Sequence, residues 1–489
     1  MIKRLLLGLL ALLVLLATLL VANTLRQGSR QLVVPALAPL VVDKAALTQA
    51  MAQAVRAKTV SGLLDPTGLA AEFDKLHAHL GSTYPLLHST LQREVVGNHS
   101  LLYTWQGSDA NAAAVLLMAH QDVVPVAPGT ETLWKKPPFE GVVDDGFVWG
   151  RGTLDNKSNL ISQMQAVEQL LKAGFKPRRT IYLVFGHDEE VGGQKGAVPI
   201  VALLKQRGAK IQFVLDEGLA VTEGILPGVK QPLALIGLAE KGAVSLKLTA
   251  QAPPGHSSMP PSAGNSAIGM LSAALTRLDN KPLPGGIKGA AAELFATVAP
   301  ELPFGQRLAM SNLWLFKPVV ELMLGKSASS NAMLRTTTAL TIVNAGVKEN
   351  VLPGKAEAVV NFRILPGDSS ASVLAYVKQA IDDERITVEV LGVPFEASKV
   401  SSAQAEAYRV IERTVREVFP DALVAPGLVL AATDSRHFQD LAEQTYRFMP
   451  IRFKQPDLAR LHGTDERISS DQLVDMVRFY FRLLQQSAQ

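Results

Sequence analysis

The chain has 489 residues, of which 48% are hydrophobic and 19% are charged, so a disordered or low-complexity chain is excluded. At roughly 150 residues per domain, this length predicts two or three folded units. The net charge of +4 is too small and too scattered to indicate nucleic-acid binding. The chain has no cysteine, so disulfides and a thiol nucleophile are excluded and any metal must be bound by histidine and carboxylate groups.

The first predicted element is an apolar helix near the N-terminus. Residues 5–22 contain no charge and follow Lys3 and Arg4. As a helix, this run would extend about 27 Å at ~1.5 Å per residue, close to the thickness of a bilayer core. It is longer than the apolar region of a cleaved signal peptide and lacks an A-x-A cleavage site, which favours an uncleaved anchor over that alternative. The positive flank predicts a body on the non-cytoplasmic side, periplasmic or extracellular if the protein is bacterial.

Strand and helix patterns alternate in the first part of the body. Three short apolar runs, at 112–119, 180–185 and 211–215, are typical of strands that are buried on both faces. Between the first two runs, apolar residues from Leu160 to Leu171 follow helical spacing. Strands that alternate with helices predict an α/β fold, in which a mostly parallel sheet has helices on both faces.

The pattern changes near residue 240. Apolar and polar residues alternate over 244–249, as in a strand with one solvent-exposed face, and a helix is predicted through 268–275. Two further strand-like runs follow at 338–343 and 356–365. Together these elements predict a small α+β domain that is inserted in the larger domain.

These changes divide the chain into four segments. The larger domain resumes after the insertion and ends in an amphipathic helix over 470–484. The stretch 285–335 is apolar but irregular, and no element is predicted in it. Residues 1–30 are predicted to be a membrane anchor with the start of a tether, and residues 240–366 the inserted domain. The larger domain consists of a first part at 31–239 and a second part at 367–489.

Acidic and histidine side chains follow the predicted strands of the larger domain. In an open α/β sheet, ligands bind at the carboxyl ends of the strands, so these segments could converge on one crevice. His120 and Asp122 follow the first run, Glu189 and Glu190 the second, and Asp216 and Glu217 the third. Asp155 precedes the helix between the first two runs, and His462 lies in the loop before the last helix.

Each of these residues has a structural alternative when it is considered alone. Asp155 could be a helix N-cap, the histidines could be hydrogen-bonded structural residues, and the acidic pairs could lie in solvated turns. The joint pattern favours a metal site, because a buried cluster of charges is costly unless its members are paired or bind a metal. Histidine and carboxylate ligands suit zinc, cobalt or manganese, and five candidate ligands suit two ions that share a bridging carboxylate better than one ion.

Nine short motifs together resemble a known enzyme family, and they occur along the chain in the order HQD, GRGTLDNK, DEEVGG, VLDEG, GHSSMPP, ENVLPG, NFR, TDSRHF and RLHGTDERIS. The family is the co-catalytic-zinc metallopeptidases that include aminoacylase, carboxypeptidase G and bacterial dipeptidases. The motifs look most like the branch of carboxypeptidase S and the N-acyl-amino-acid synthase/hydrolase. The resemblance implies a zinc-dependent metallopeptidase or amidohydrolase that uses a metal-activated water. Its substrates would be the C-terminal peptide bonds of short peptides or the amides of N-acyl amino acids.

The resemblance also implies roles for the matching residues. Glu189 would be the general base, and Asp122 would orient the imidazole of His120. The cofactors would be two divalent ions, Zn²⁺ or else Co²⁺ or Mn²⁺. Their ligands would be His120 and Asp216 for one ion, Glu190 and His462 for the other, and Asp155 as the bridge between them.

The inserted domain resembles the lid of that family, which is also its usual dimerisation domain, so a homodimer through the lid is implied. Arg363 could bind a free carboxylate bidentately. The family often has glycines before the TD of TDSRHF, whereas Ala431 and Ala432 stand here, which could narrow the substrate pocket. Four residues match positions that contact substrate in the family: His256, Asn350, Arg363 and Arg436.

Two other functions are alternatives to the hydrolysis of short peptides. The first is an N-acyl-amino-acid hydrolase or synthase that acts on long-chain acyl substrates and can also run in the condensation direction. The second is a catalytically inactive binding protein tethered to the membrane, which is disfavoured because all seven metal-site positions are filled. The sequence has no phosphate-binding GxxxxGK[ST] motif, so a nucleotide-handling enzyme is not indicated.

Overall fold

The computed structural model describes residues 1–62, 67–226 and 228–489. The helices in these residues are α1 Ile2–Arg26, α2 Lys44–Val55, α3 Leu69–Thr83, α4 Pro85–Thr90, α5 Lys157–Lys172, α6 Ala197–Gln206, α7 Ala267–Asn280, α8 Gly289–Val298, α9 Phe304–Ser311, α10 Leu313–Leu324, α11 Ala328–Leu334, α12 Ser370–Ile381, α13 Glu406–Val418 and α14 Ser470–Ser487. The strands are β1 Gln92–Val96, β2 Ser100–Trp105, β3 Ala114–His120, β4 Val142–Asp144, β5 Phe147–Trp149, β6 Ile181–Gly186, β7 Ile211–Asp216, β8 Val221–Glu223, β9 Leu233–Glu240, β10 Gly242–Gln251, β11 Gly255–His256, β12 Thr337–Ala345, β13 Val351–Leu352, β14 Lys355–Ile364, β15 Ile386–Phe395, β16 Leu423–Val429, β17 Ala442–Arg447, β18 Arg452–Lys454 and β19 Arg467–Ser469.

The larger sheet combines strands from both parts of the predicted larger domain. Its ten strands have the order β1-β2-β6-β3-β7-β17-β9-β8-β18, and β16 pairs with β9. The central strands β6, β3, β7 and β17 are parallel, whereas β1 with β2 and β8 with β9 form antiparallel pairs. The predicted α/β class is therefore confirmed, but the sheet is mixed, because antiparallel pairs extend its parallel centre on both sides.

The three apolar runs form neighbouring buried strands, as predicted. β3 is buried over its whole length, and β6 and β7 are buried except at their second residues. Side chains of one strand alternate between the two faces. Leu117 accordingly packs in one core with α5 and α14, whereas Leu116 packs in another with α6. Helices therefore cover both faces of this part of the sheet.

A second sheet contains the strands predicted for the inserted domain. Its order is β12-β14-β10-β15, and all neighbouring strands are antiparallel. Leu271 of α7 and Val377 of α12 pack against the inward-facing residues of β10 and β14. β15 lies after residue 366, so this sheet continues beyond the predicted end of the insertion.

The apolar stretch 285–335 forms the four helices α8 to α11. Leu294 of α8 and Val320 of α10 pack with Leu233 of β9 and Leu423 of β16, so these helices lie against the larger sheet. The helices are only 7 to 12 residues long, which leaves no extended period in the sequence from which they could be predicted.

The predicted N-terminal helix is present as α1. It is 25 residues long, and its most apolar window of 18 residues has a mean hydropathy of 3.0 and is only 6% buried inside the protein. Within the described part of the chain, it is the one helix whose length and composition suit a membrane span. A signal sequence would meet the same criteria.

Candidate metal centre

The candidate site lies where neighbouring parallel strands end. β3 ends at His120 and β7 at Asp216, and the short 3₁₀ turn Glu189–Val191 follows β6. Because the carboxyl ends of parallel strands lie at the same edge of a sheet, these polar segments are neighbours. The turn requires glycine after it: Gly193 has φ of 70°, and a Cβ there would lie 2.0 Å from a carboxylate oxygen of Asp434.

Asp155, just before α5, lies between the two histidines. Its Oδ1 is 2.9 Å from Nε2 of His120, and its Oδ2 is 3.1 Å from Nε2 of His462. Oε2 of Glu190 is 3.3 Å from Nε2 of His462, and Oε1 of Glu217 is 3.3 Å from Nε2 of His120. Side chains from five separate segments of the sequence therefore form one cluster.

Glu217, rather than Asp216, faces His120. The Asp216 carboxylate accepts the backbone N–H groups of Glu217 at 2.9 Å and Ser435 at 3.0 Å. The Glu217 carboxylate accepts a hydrogen bond from the side-chain amide of Asn156. The motif resemblance gave Asp216, together with His120, as the ligands of one ion, but consecutive residues at the end of a strand point in different directions. The structure turns Asp216 towards backbone amides and Glu217 towards the imidazole.

Asp122 and Glu189 lie beside this cluster. Asp122 is fully buried, and its Oδ1 is 3.4 Å from Nδ1 of His120. Its carboxylate also accepts the backbone N–H groups of Glu189 and Glu190, both at 3.2 Å. Carboxylate oxygens of Glu189 and Glu217 and a ring nitrogen of His120 lie within 4.8 Å of one another. Asp122 thus contacts both the histidine and the turn that presents Glu189.

A buried ion pair, not predicted from the sequence, connects two segments of the site. Nη1 of Arg151 is 2.8 Å from Oε2 of Glu466, and these side chains are 2% and 0% exposed. Glu466 accepts the backbone N–H of Asp155 at 3.2 Å, and Arg151 donates to the backbone carbonyl of His462 at 3.2 Å. In the sequence, Arg151 and Glu466 are visible only as charged residues within the motifs GRGTLDNK and RLHGTDERIS. Their positions in these motifs do not indicate that the two side chains are buried together.

Burial and close charges shift the pKa values of the cluster. Burial raises the pKa of Glu189 well above its usual value and raises the pKa of Glu217 to about 7. Hydrogen bonds to Asp155 and Glu190 raise the pKa of His462 to about 10. Burial also acts to raise the pKa of Asp155, but hydrogen bonds from the two imidazoles outweigh it and lower that pKa. Negative charge is therefore crowded into a space with little solvent.

The residues present fit divalent metal ions. Oε1 of Glu190 is buried and has no hydrogen-bond partner in the part of the chain that the structure describes. An unpaired buried carboxylate oxygen is costly unless a cation binds it. Nitrogen and carboxylate ligands without sulfur suit zinc. Two sets of three potential ligands have their ligand atoms within 4.8 Å of one another: His120, Asp155 and Glu190, and His120, Glu189 and Glu217.

A cavity of about 360 Å³ lies beside the cluster. Its polar end is formed by the cluster residues Asp155, Glu189, Glu190, Glu217 and His462. A substrate in this cavity would have its reacting group at the polar end and an apolar portion along the remaining wall. That wall is mostly apolar and includes Leu219, Ala220, Ile225, Val429, Ala431, Ala432, Met449, Phe453, Leu458 and Leu461.

Three of the residues predicted to contact substrate lie outside this cavity. His256 and Asn350 are exposed and adjoin each other at the β11–β13 pair, where Ser257 donates its backbone N–H to the Asn350 carbonyl at 3.1 Å. Arg363 is exposed on β14 of the second sheet. In this conformation, none of the three is among the described residues that line the cavity.

The fourth such residue, Arg436, contacts the turn after β6. Its Nη2 donates to the backbone carbonyl of Gly192 at 3.0 Å, and its guanidinium lies 4.8 Å from the centre of the Phe395 ring. Gly192 directly follows the turn that carries Glu189 and Glu190. Arg436 is thus placed to support that turn.

Comparison with known proteins identifies the family. The sequence profile of Peptidase family M20/M25/M40 matches residues 116–486, and the chain belongs to this family. The family consists of metallopeptidases, which typically use zinc, so the protein is an enzyme of the hydrolase class, as the motifs predicted.

Named relatives confirm the predicted branch. The chain is 43% identical over 451 residues to the N-fatty-acyl-amino acid synthase/hydrolase PM20D1 of Xenopus tropicalis, which covers 91% of this chain and 86% of that protein. It is 39% identical over 498 residues to the probable carboxypeptidase S-like 2 of Dictyostelium discoideum, covering 99% and 93%. Among solved structures, its fold is similar to the M20 family metallo-carboxypeptidase Sso-CP2 of Sulfolobus solfataricus, with a TM-score of 0.62, 17% identity, and coverage of 91% of this chain and 99% of that one.

Proposed function

We propose that this protein hydrolyses the amide bond of N-acyl amino acids that carry an apolar acyl chain. The observation that carries this proposal is the cavity, which has acidic and histidine side chains at one end and a mostly apolar wall elsewhere. An apolar chain gains free energy when it leaves water for such a wall. The relative from Xenopus tropicalis, named as an N-fatty-acyl-amino acid synthase/hydrolase, supports this substrate class. The reverse condensation would use the same site.

We assign two divalent ions, with zinc as the first choice, to the cluster. Glu217 takes the position that the motifs gave to Asp216, because the Glu217 carboxylate lies 3.3 Å from the His120 imidazole. When bound, the ions would polarise the substrate carbonyl and lower the pKa of the attacking water. The ligands would be His120 and Glu217 for one ion, Glu190 and His462 for the other, and Asp155 as the bridge.

Glu189 would act first as a general base and then as a general acid. As the water oxygen forms a bond with the amide carbon, Glu189 would accept a proton from that water. It would then donate this proton to the amine nitrogen as the carbon–nitrogen bond breaks, which releases a carboxylic acid and an amino acid. Asp122 would position both partners, since it contacts His120 and the backbone N–H of Glu189.

Hydrolysis of C-terminal peptide bonds in short peptides is the second candidate. The relative from Dictyostelium discoideum, named as a probable carboxypeptidase S-like protein, supports it over nearly the whole chain. Both substrate classes end in the free carboxylate of an amino acid, so they differ only in the part that would lie along the cavity wall. The length and polarity of this part therefore discriminate between the candidates.

The domain roles are part of the proposal. Segments 31–239 and 367–489 would form the catalytic domain, and 240–366 would form the lid together with β15 of the second sheet and α12, which packs against that sheet. Because His256, Asn350 and Arg363 lie outside the cavity, they would reach substrate only after the lid moves or from a second copy. β12 is an edge strand of the second sheet and is exposed along most of its length, which suits a homodimer through the lid.

The proposed location follows from the N-terminal helix. We assign α1 as an uncleaved anchor, because its apolar window is nearly all exposed and it follows the cationic flank of Lys3 and Arg4. The catalytic body would then lie on the non-cytoplasmic side, which is the periplasm or the cell exterior in a bacterium.

The test compares three substrates on the full chain loaded with zinc: a long-chain N-acyl amino acid, its N-acetyl counterpart and the dipeptide Gly-Leu. We expect the largest kcat/KM for the long-chain substrate. Ile225→Asp places a charge on the apolar wall and should lower that value about 10- to 100-fold, with little effect on the N-acetyl substrate. Val143→Asp, at an exposed apolar residue on β4, is the matched control and should change neither value.

Other results would contradict the proposal. A larger kcat/KM for Gly-Leu, unaffected by Ile225→Asp, would establish the peptidase candidate instead. An absence of turnover on all three substrates, with two ions bound per chain, would overturn both proposed substrate classes.

A further inference from the structure

The outer side of α10 is apolar and exposed. On its inner side, Phe316 and Val320 pack in the core that α8 to α11 form with β9 and β16. On its outer side, Leu322 and Met323 are 67% and 66% exposed. Large apolar side chains on both the inner and the outer side of a helix indicate an apolar environment on the outer side as well. We call this the α9–α10 outer surface, and it consists of Phe304, Trp314, Leu315, Val319, Leu322 and Met323.

Hydrogen bonds connect these two helices to α1. Asn312, between α9 and α10, donates from its side-chain amide to the Leu20 carbonyl and the Thr24 hydroxyl, both at 3.1 Å. Arg307 of α9 donates to the carbonyls of Thr24 at 3.1 Å and Gln27 at 2.6 Å. The carbonyls of Thr24 and Gln27 lie at the C-terminal end of α1, where backbone carbonyls have no N–H partner within the helix. The apolar N-terminal helix therefore adjoins the α9–α10 outer surface.

We propose that the α9–α10 outer surface binds the lipid bilayer that α1 enters, so that the body of the protein is partly embedded in the membrane interface. The occupant is lipid rather than a second copy of the chain, because of the connection to α1. Any bilayer that surrounds α1 must begin close to the end of that helix, where Asn312 and Arg307 make their hydrogen bonds. The exposed apolar side chains of α10 are then next to the acyl chains.

The residue types around this surface suit the boundary between lipid headgroups and acyl chains. Trp314 is 66% exposed, and its indole N–H donates to Asn312 at 3.3 Å. Tryptophan is enriched at this boundary because its ring is apolar and its N–H is polar. Lys317 and Lys326 are also exposed. Their long side chains can cover apolar surface while their amines reach the headgroups.

The same core also adjoins the wall of the candidate active site. Ile225 lines the cavity, and its neighbour Leu226 packs against the same buried core as Leu313 and Phe316 of α10. A substrate with an apolar chain could therefore be taken up from the membrane, in which such molecules concentrate. This consequence rests on the proposed substrate class, whereas the membrane contact itself rests only on the proposed anchoring by α1.

Tryptophan fluorescence tests the contact directly in the full chain. Trp105, Trp134 and Trp149 are at most 9% exposed, and Trp314 is the fourth and last tryptophan of the chain. We expect that vesicles of phosphatidylcholine brominated near the headgroup will quench tryptophan emission of the reconstituted chain, relative to unbrominated vesicles. Trp314→Phe should abolish this difference. Equal emission from the wild-type chain in the two kinds of vesicle would overturn the proposal.

Paired variants on and away from the α9–α10 outer surface show whether the quenching depends on that surface. Leu322→Glu with Met323→Glu should reduce the quenching of Trp314, because the charges resist transfer into lipid. The matched control is Val347→Glu with Val393→Glu, at residues that are 96% and 94% exposed in the loop after β12 and on β15, and it should leave the quenching unchanged. Equal loss of quenching in both pairs would contradict the proposal.

Cysteine labelling distinguishes lipid from a second copy, since the chain has no cysteine of its own. In vesicles, Met323→Cys should react more slowly with a membrane-impermeant maleimide than Val347→Cys does. Equal labelling rates would overturn the proposal. Protection of Met323→Cys that grows with the protein-to-lipid ratio would identify a second copy as the occupant and would also overturn it. These outcomes are independent of catalysis, so they can be told apart from a failure of the proposed function.

Discussion

The two halves of the candidate metal centre are built differently. His120 ends β3, Glu217 follows the neighbouring strand β7, and His120 is only 2% exposed. Glu190 and His462 come from a 3₁₀ turn and a loop, and His462 is 55% exposed with φ of 55°. The strand half is positioned by the hydrogen bonds of the sheet. The loop half depends on side chains that reach it from other parts of the chain.

The two halves therefore depend on different contacts to hold their side chains in place. The two strand ends lie together because the sheet pairs their strands, and Asn156 and Asp122 add contacts to Glu217 and His120. The loop half requires particular contacts, such as that of Arg151 with the His462 carbonyl and that of Arg436 with the Gly192 carbonyl. We therefore expect substitutions in the strand half to act on metal affinity, and those among the supporting side chains to act on stability and rate.

The largest effect is expected at Glu189, which lies between the halves. Glu189→Gln removes the proposed proton acceptor and should lower kcat about 10³- to 10⁴-fold. The metal content per chain, measured by elemental mass spectrometry, should equal that of the wild type. Full activity would remove Glu189 from its proposed role, whereas loss of an ion would make it a ligand.

Arg151 tests how much the loop half depends on its buried ion pair. Arg151→Met leaves the Glu466 carboxylate buried without its partner and should lower the free energy of unfolding by about 3–5 kcal/mol. Denaturant titration in detergent, followed by tryptophan fluorescence, measures this value. Arg151→Met combined with Glu466→Gln should recover part of the loss, because the unpaired charge is gone. If the single variant is as stable as the wild type, the comparison between the halves fails.

Glu217 and Asp216 test the strand half. Glu217→Gln should weaken the binding of one ion about 100-fold, because the carboxylate that faces His120 loses its charge. Asp216→Asn should weaken it less than about 10-fold, since Asp216 contacts backbone amides instead. Competition with a chelator of known affinity gives both values. The reverse order would return the ligand position to Asp216.

Arg436 gives the smallest expected effect. Arg436→Ala removes the hydrogen bond to the carbonyl after the catalytic turn and should lower kcat about 10-fold, the equivalent of one charged hydrogen bond. KM should not change, because in this conformation Arg436 does not line the cavity. A raised KM with an unchanged kcat would instead support the substrate contact that the motifs implied.

Local patterns in the sequence were sufficient for three central strands of the larger domain and for its helices α5 and α14. The apolar runs at 112–119 and 211–215 correspond to β3 and β7, because a short run that is apolar throughout suits a strand covered on both faces. The antiparallel edges of the sheet and the helices within 285–335 were not predicted. Pairing partners are not encoded in a strand's own sequence, and short helices that are apolar on several sides have no clear period.

The sequence by itself determined which chemical groups stand at the strand ends, because residue type and the end of an apolar run are both local properties. It also determined the family, since the motifs are read in order along the chain. Only the tertiary structure decided that Glu217 rather than Asp216 faces His120, because this depends on the direction of side chains at the end of β7. Only the tertiary structure paired Arg151 with Glu466, because these residues are 315 positions apart and meet through folding alone.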